Sequence, residues 1–232
     1  MAHVGPGPAG PPPLGPEGFD WTSWQADPGV VAGLVVLGAA YTAAILWRRR
    51  LAPEARVEPL KVVSFGGALL LLFGVLTGPI HDLSDYYLFS AHMIQHMLIA
   101  VVAPPLLLLG IPRWLAELPL RNMSVRTVAR WLANPIVAFG VFQADIWLWH
   151  APALYDLTLA NDTVHILEHL TFLIFGLMYW LPILSPTPLI PRISRGFAIL
   201  YLFIGCQPMV ALGALLTFAA HPLSAVPDLE VQ

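Results

Sequence analysis

The sequence has little charge and almost no cysteine. Of its 232 residues, 11% are charged and 57% are hydrophobic, and the net charge is -3. A water-soluble domain of this length cannot bury so much apolar surface, whereas a bilayer accepts it. The single cysteine, Cys206, excludes an internal disulfide framework. The small net charge, without a clustered basic surface outside short loops, argues against nucleic acid as a partner.

The sequence also lacks the common signatures of enzymes. It contains no Walker loop, no GxSxG and no HExxH. It has one lysine, Lys61, and no stretch outside the hydrophobic runs that is long enough for a soluble catalytic domain. We therefore expect a protein that is not an enzyme.

What the sequence does have is a series of long apolar runs, which predict an all-α, polytopic transmembrane helix bundle. Crossing a hydrocarbon core of about 30 Å takes about 20 mostly apolar residues. We predict six spans, at 29–48, 62–80, 87–110, 134–151, 163–184 and 196–218. They form one transmembrane domain over residues 28–221. The Pro- and Gly-rich segment 1–27 is predicted to be a disordered tail without a signal peptide, and 222–232 a short C-terminal tail.

The basic residues predict the orientation of the bundle. All 11 Lys and Arg residues fall in the loops after the first, third and fifth spans. By the positive-inside rule that side is cytoplasmic, so both termini are expected to be extracytoplasmic. All 8 histidines fall on the opposite side or in the outer part of a span, including His3 and His221 near the two ends.

Two histidine pairs dominate that outer side. Residues four apart on a helix share a face, so His92 projects with His96, and His165 projects with His169. If the two helices pack with these faces together, four imidazoles converge. Imidazole binds copper, zinc, iron and nickel, and ionisable residues inside a membrane indicate function by default. The sequence therefore predicts a metal or haem site, with His150 at the end of the fourth span as an added ligand.

Further polar and sulfur-bearing residues lie near these histidines. Carboxylates at this level would orient an imidazole through its second nitrogen, bind the metal, or carry a proton. Thioether and thiol groups favour Cu(I) and would line an entry route or a deeper site. The candidates for these surrounding roles are Asp145, Glu168, Met93, Met97, His81, Cys206 and Met209. Trp147 and Trp149 fit an outer aromatic belt.

Three stretches resemble the CtaG family of cytochrome c oxidase assembly factors. They are "LFSAHMIQHMLIAVVAPPLLLLGIP", "IWLWHAPALYDLTLANDTVHILEHLTFLIFGLMYW" and "LGALLTF". The shared features are the histidine pairs, a double proline, WHxPxLYD and HxxEH, in one order and spacing. The similarity extends from about Trp24 to about His221.

The resemblance implies a multi-pass protein of the bacterial inner membrane that serves the respiratory chain. It implies a metallochaperone that binds copper on the outer face and passes it to a haem–copper oxidase subunit, with a periplasmic copper donor as a further partner. The family positions that match are His92, His96, His150, His165 and His169. The family pattern usually continues into a seventh helix, entered by an Asp-Gln pair, which this sequence does not reach.

Three alternatives remain open at the level of sequence. Paired histidines on two helices also suit a b-type haem in an electron carrier or a haem-handling protein. A copper permease would need ligands through the full thickness of the membrane, and below Cys206 only Met178 is available. A purely structural scaffold would use the histidines for packing. Because imidazole must be neutral to bind copper, we expect binding to weaken below about pH 6.5.

Overall fold

The computed structural model describes residues 24, 27–79, 81 and 89–218, and these residues form helices and short connections without a β-strand. The helices are α1 Pro28–Leu46, α2 Arg48–Leu51, α3 Pro59–Thr77, α4 Phe89–Met97, α5 Ala103–Gly110, α6 Arg113–Glu117, α7 Met123–Leu132, α8 Pro135–Trp149, α9 Pro152–Ala160, α10 Asp162–Leu184 and α11 Arg195–Thr217. A π-helical turn, Leu98–Val102, joins α4 to α5, and a 3₁₀ turn covers Pro119–Arg121.

Five helical segments are long and apolar enough to cross a bilayer on their own. They are Pro28–Leu46, Pro59–Thr77, Ser90–Gly110, Asp162–Leu184 and Arg195–Leu215. Their ends agree with the corresponding predicted spans to within three residues. The prediction of an all-α transmembrane bundle is confirmed. The predicted orientation and the two predicted tails stay predictions, and His3 and His221 lie outside the described residues.

The fourth predicted span is the one that differs. Helix α8 has 15 residues, which at 1.5 Å per residue gives about 22 Å, short of the hydrocarbon core. It is long and apolar enough to cross a bilayer only when it is taken together with α7. The two helices are bent by 64° at the break between them. Asn134 causes a new helix start there, because its side chain accepts from the backbone N–H groups of Ile136 and Val137. Pro135 follows at the first helical position, where its missing N–H costs nothing.

Helix α10 lies at the centre of the bundle. It packs against α8, α5, the π turn and α9, while α3 packs along α5. Buried apolar side chains such as Leu72, Ile99, Phe142 and Phe172 fill the space between these helices. Helices α1 and α11 are peripheral, since α1 packs on α3 and buries only Tyr41, and α11 packs mainly on α8. The third and fifth spans, which carry the histidine pairs, are therefore the most enclosed pair.

The π turn follows directly from a double proline. Pro104 and Pro105 have no backbone N–H, so the carbonyl groups of Ala100 and Val101 lose the donors that an α-helix would supply. The backbone widens instead, and the N–H of Ala103 bonds to the carbonyl of Leu98 five residues earlier. Such π turns occur frequently at functional sites. This one begins two residues after His96.

Candidate metal centre

The two histidine pairs converge as their spacing predicts. His92 and His96 on α4 have ring centroids 4.1 Å apart, and His165 and His169 on α10 have centroids 4.4 Å apart. Across the two helices, His92 lies 5.8 Å from His165 and His96 lies 5.3 Å from His169. His150, just after α8, lies 6.1 Å from His96. The structure therefore brings together all five histidines that the sequence singles out as ligands.

The tightest group of possible ligands contains a carboxylate. One ring nitrogen each from His92, His96 and His165, and one oxygen of Glu168, all lie within 4.8 Å of one another. Glu168 is only 1% exposed, and its Oε1 lies 3.9 Å from Nε2 of His96. The sequence placed Glu168 in a surrounding role and His169 among the ligands, whereas this group includes Glu168 and leaves His169 beside it. We call these four residues the His–Glu group.

Several ring nitrogens at this centre make no hydrogen bond. Among the described residues, Nε2 of His92, both ring nitrogens of His96 and Nε2 of His169 are buried and lack a partner. Buried polar side-chain atoms are normally satisfied, and each exception needs a reason. Nitrogen lone pairs directed into a buried volume suit a cation. If these histidines served only for packing, nothing would compensate the free-energy cost of burying their unbonded nitrogens.

His150 is held in one tautomer by the backbone. Its Nδ1 lies 2.7 Å from the carbonyl oxygen of Ile146, and because a carbonyl only accepts, Nδ1 carries the proton. Nε2 then keeps the lone pair, which is the usual arrangement of a metal-binding imidazole. His150 is thus available as a neutral ligand next to His96.

His81 is engaged differently. The side-chain nitrogen of Gln95 donates to the carbonyl of Val75 at 3.0 Å and lies 3.1 Å from Nδ1 of His81. The bond to Val75 identifies the Gln95 nitrogen as a donor, so Nδ1 of His81 accepts, and the proton of the neutral ring is on Nε2. The ring of His81 stacks beside that of His165, with centroids 6.3 Å apart. His81 is thus adjacent to the His–Glu group. Gln95 is not among the site residues predicted from the sequence, although it lies three residues from His92 on the same face.

A tryptophan links the helix before His150 to the helix that carries the second histidine pair. Trp149 Nε1–H donates to Oδ1 of Asp145 at 3.0 Å and to Oγ1 of Thr171 at 2.8 Å. Thr171 in turn donates to the backbone carbonyl of Glu168. Trp149 is 7% exposed and Asp145 is 5% exposed. The assignment of Trp149 to an aromatic belt was wrong, because this side chain is buried and hydrogen-bonded.

The sulfur-bearing candidates differ in burial, and the cysteine among them is outside the His–Glu group. Met93 is half-buried on α4, while Met97 is 45% exposed and faces outward. Met209 is half-buried against the apolar core. Cys206 is a free cysteine on the exposed side of α11, and the His–Glu group does not include it. The structure does not bring Cys206 to the histidines, because its helix packs mainly on α8 at the edge of the bundle.

Fold and site together define a class: a multi-pass helical membrane protein with a buried centre of histidine and glutamate. The model of the cytochrome c oxidase caa3 assembly factor family (Caa3_CtaG) matches residues 39–229. This chain belongs to that family. It is also similar to an uncharacterized protein of Mycobacterium leprae (strain TN), with 27% identity over 84% of this chain and 33% of the relative. The chain thus spans about a third of that relative's length. No solved structure matches.

Proposed function

We propose that this protein binds copper at the His–Glu group and delivers it to cytochrome c oxidase during assembly of the enzyme. Two findings support the proposal. The family to which the chain belongs is one of assembly factors for a cytochrome c oxidase of the caa3 type. The observation that carries the metal-binding part is the group of three imidazoles and one carboxylate, buried except for the half-buried His165, with ring nitrogens of His92 and His96 that lack hydrogen-bond partners among the described residues. The role is one of supply, and the protein itself performs no catalytic step.

The ligand types favour copper over the other metals that imidazole binds. For a given set of nitrogen and oxygen ligands, Cu(II) binds more tightly than Zn(II) and the other divalent metals of the first row. A carboxylate such as that of Glu168 also suits the divalent ion better than Cu(I). The negative charge of Glu168 offsets part of the charge that the ion brings into a buried site. We therefore expect cupric copper in the resting complex, with Met93, which is half-buried on α4 next to His92, as a candidate to assist a reduced ion.

The surrounding histidines provide a route for release. His169 and His150 flank His96, with ring centroids 5.3 and 6.1 Å away. With rings at these separations, an ion would exchange one imidazole for another while it stays coordinated. Transfer by ligand exchange avoids a free copper ion at every step. A docked oxidase subunit would accept the ion at the end of this series.

The predicted orientation gives the site its side of the membrane. With the arginine-rich loops in the cytoplasm, the His–Glu group faces the outside of a bacterial inner membrane. Copper would then arrive from a periplasmic donor and leave to an oxidase subunit embedded in the same bilayer. This placement follows from the loop charges and is part of the proposal.

A haem site fits the geometry less well. Bis-histidine haem takes one imidazole on each side of a flat macrocycle, whereas here the two rings of each helix lie 4.1 and 4.4 Å apart and fill the space between the helices. A permease would need ligands along the whole path, and in the described part of the chain the metal-binding group lies at one end of the spans. A Soret band in the purified protein would favour haem, and copper uptake into proteoliposomes would favour transport.

Complementation of a host that lacks the gene tests the proposal. The full-length protein, carrying His165→Ala, is compared with wild type and with Met97→Leu, a change at an exposed residue of α4. The readout is the copper content and activity of the caa3-type oxidase at low external copper. We expect His165→Ala to give oxidase that lacks copper, and added copper to restore part of it. Fully copper-loaded oxidase in the His165→Ala strain at low copper would overturn the proposal.

A further inference from the structure

A second candidate site lies at the opposite end of the bundle from the histidines. Here a cavity of about 970 Å³ opens between the connection before α3, helix α6 and the start of α7. Its charged lining is Arg56, Arg113, Arg121, Arg126, Glu54, Glu58 and Glu117. From His92 to Arg113 the chain advances 21 residues along one span, which at 1.5 Å per residue places the cavity about 30 Å from the His–Glu group.

Among the described lining residues of this cavity, arginines outnumber carboxylates. Oε1 of Glu117 accepts hydrogen bonds from Nε of Arg113 at 2.7 Å and from the hydroxyl of Thr187 at 2.9 Å. The positive charge of Arg113 is therefore balanced by the negative charge of Glu117. Arg56, Arg121 and Arg126 then face two carboxylates, those of Glu54 and Glu58. The cavity has a surplus of positive charge in the form of guanidinium groups, whose planar fork matches phosphate oxygens.

A buried donor in the same wall also lacks an acceptor. Trp114 lines the cavity, and its indole Nε1–H is buried and has no hydrogen-bond partner among the described residues. A buried N–H without a partner carries a desolvation cost that a ligand oxygen would remove. The tryptophan and the arginines thus suit the same kind of ligand, which is negatively charged and rich in acceptor oxygens.

The level of the cavity indicates where such a ligand comes from. The cavity lies where α3 begins at Pro59 and where the third span ends at Gly110. The ends of spans lie at the depth of lipid headgroups. Basic pockets between transmembrane helices on the cytoplasmic side bind the headgroups of anionic lipids. A soluble phosphate compound offers the same chemistry from the aqueous side.

We propose that this cavity binds a phosphate group, carried either by an anionic phospholipid or by a soluble phosphate compound. Arg56 and Arg121 hold the phosphate oxygens, and Trp114 donates a further hydrogen bond. Arg113 holds Glu117 away from the ligand. The cavity is separate from the His–Glu group, so phosphate binding is tested independently of copper binding.

The test compares the full chain with a double variant, Arg56→Gln/Arg121→Gln, in a maltoside detergent that contains no phosphate. Arg195→Gln is the matched control, because Arg195 begins α11 and does not line the cavity. In the first arm, native mass spectrometry measures retention of added phosphatidylglycerol. In the second arm, the shift in thermal unfolding temperature with inorganic phosphate is measured. One lost arginine–phosphate contact weakens binding by about tenfold.

Retention of phosphatidylglycerol by wild type and Arg195→Gln, with about a hundredfold weaker binding by the double variant because it loses two such contacts, supports the lipid source. Stabilisation by inorganic phosphate that only the double variant loses, with equal lipid retention, supports the soluble source. Equal behaviour of the double variant and wild type in both arms overturns the proposal. If the double variant does not fold, Trp114→Phe, which removes one donor and keeps the ring, takes its place in the same comparison.

Discussion

Gly176 on α10 lies directly against the backbone carbonyl of Ala100 in the π turn. A Cβ at Gly176 would fall 2.5 Å from that oxygen and 2.9 Å from Cγ of Pro104. The lack of a side chain therefore sets how closely the third and fifth spans approach. Both histidine pairs are carried by these two spans, between about one and three helical turns away from the contact. The spacing of the His–Glu group depends on this glycine.

We predict that Gly176→Ala separates the two spans and destabilises the protein. Overpacking of a tight contact costs about 1–3 kcal/mol, so the thermal unfolding temperature and the copper affinity should both fall. Gly140→Ala on α8 is the control, because a Cβ there meets nothing within 4 Å and alanine favours a helix. A Gly176→Ala protein as stable as Gly140→Ala would contradict this description of the contact.

The second prediction concerns the hydrogen bonds of Trp149. Trp149→Phe keeps the ring but removes the N–H that joins Asp145 to Thr171, so the buried carboxylate of Asp145 and the half-buried hydroxyl of Thr171 each lose a donor. The expected loss is about 1–3 kcal/mol of unfolding free energy, with weaker copper binding because α8 and α10 are less well fixed. Trp147→Phe, at a 41% exposed position of the same helix, should change neither quantity. Identical stability of the two variants would show that the buried hydrogen bonds contribute nothing.

The convergence of the histidines was predictable because it follows from helix geometry. Four-residue spacing places His92 with His96 on one face, and the common position of both pairs near the start of their spans places them at one depth. The same rule would have placed Glu168 in the group, since it lies three residues after His165. The neighbouring residue His169 was predicted as the ligand instead of Glu168. The apolar runs predicted the spans because a bilayer requires about 20 such residues.

The features that hydropathy did not predict depend on individual backbone donors and on packing. Hydropathy alone gives a straight third span, whereas the two missing N–H groups of Pro104 and Pro105 produce the π turn. Likewise the break before α8 depends on the cap that Asn134 forms. The buried role of Trp149 could not be read from composition, because tryptophan is also common at membrane interfaces.

The third prediction concerns the ion pair at the opposite end of the bundle. Hydrogen bonding to Arg113 and Thr187 lowers the pKa of Glu117 from its ordinary value of 4.5. A carboxylate whose pKa is lower in the folded state stabilises that state above its ordinary pKa, and the contribution is lost as the pH falls through the lowered value. Glu117→Gln should therefore unfold at a lower temperature than wild type at neutral pH, by an amount equivalent to less than about 1 kcal/mol because the pair is partly exposed.

The difference between Glu117→Gln and wild type should narrow as the pH falls below the ordinary glutamate value. Glu54→Gln removes another carboxylate of the same cavity, outside the pair with Arg113, and serves as the control. Thermal unfolding across the acidic range measures both variants. A difference that stays constant with pH would mean that the charge of Glu117 is not what stabilises the contact.

The fourth prediction is the pH dependence of copper binding. Imidazole coordinates only in its neutral form, so protons compete with the ion at His92, His96 and His165. The apparent affinity should fall as the pH decreases, by about tenfold per pH unit for each imidazole that takes up a proton. Because burial disfavours the charged form of an imidazole, the competition should set in below the ordinary imidazole range, and titration of the purified protein with Cu(II) from neutral pH to about pH 4 measures this slope. An affinity independent of pH down to about pH 4 would argue against histidine ligands.

The most direct test of the account is elemental analysis of copper in the detergent-purified protein after dialysis. Wild type should retain about one ion per chain at the His–Glu group, and so should Met97→Leu, whose side chain is exposed. His96→Ala/His165→Ala removes two of the four ligands and should retain almost none, while thermal unfolding shows that it still folds. If the folded double variant holds as much copper as wild type, the His–Glu group is not the copper site and the central claim is wrong.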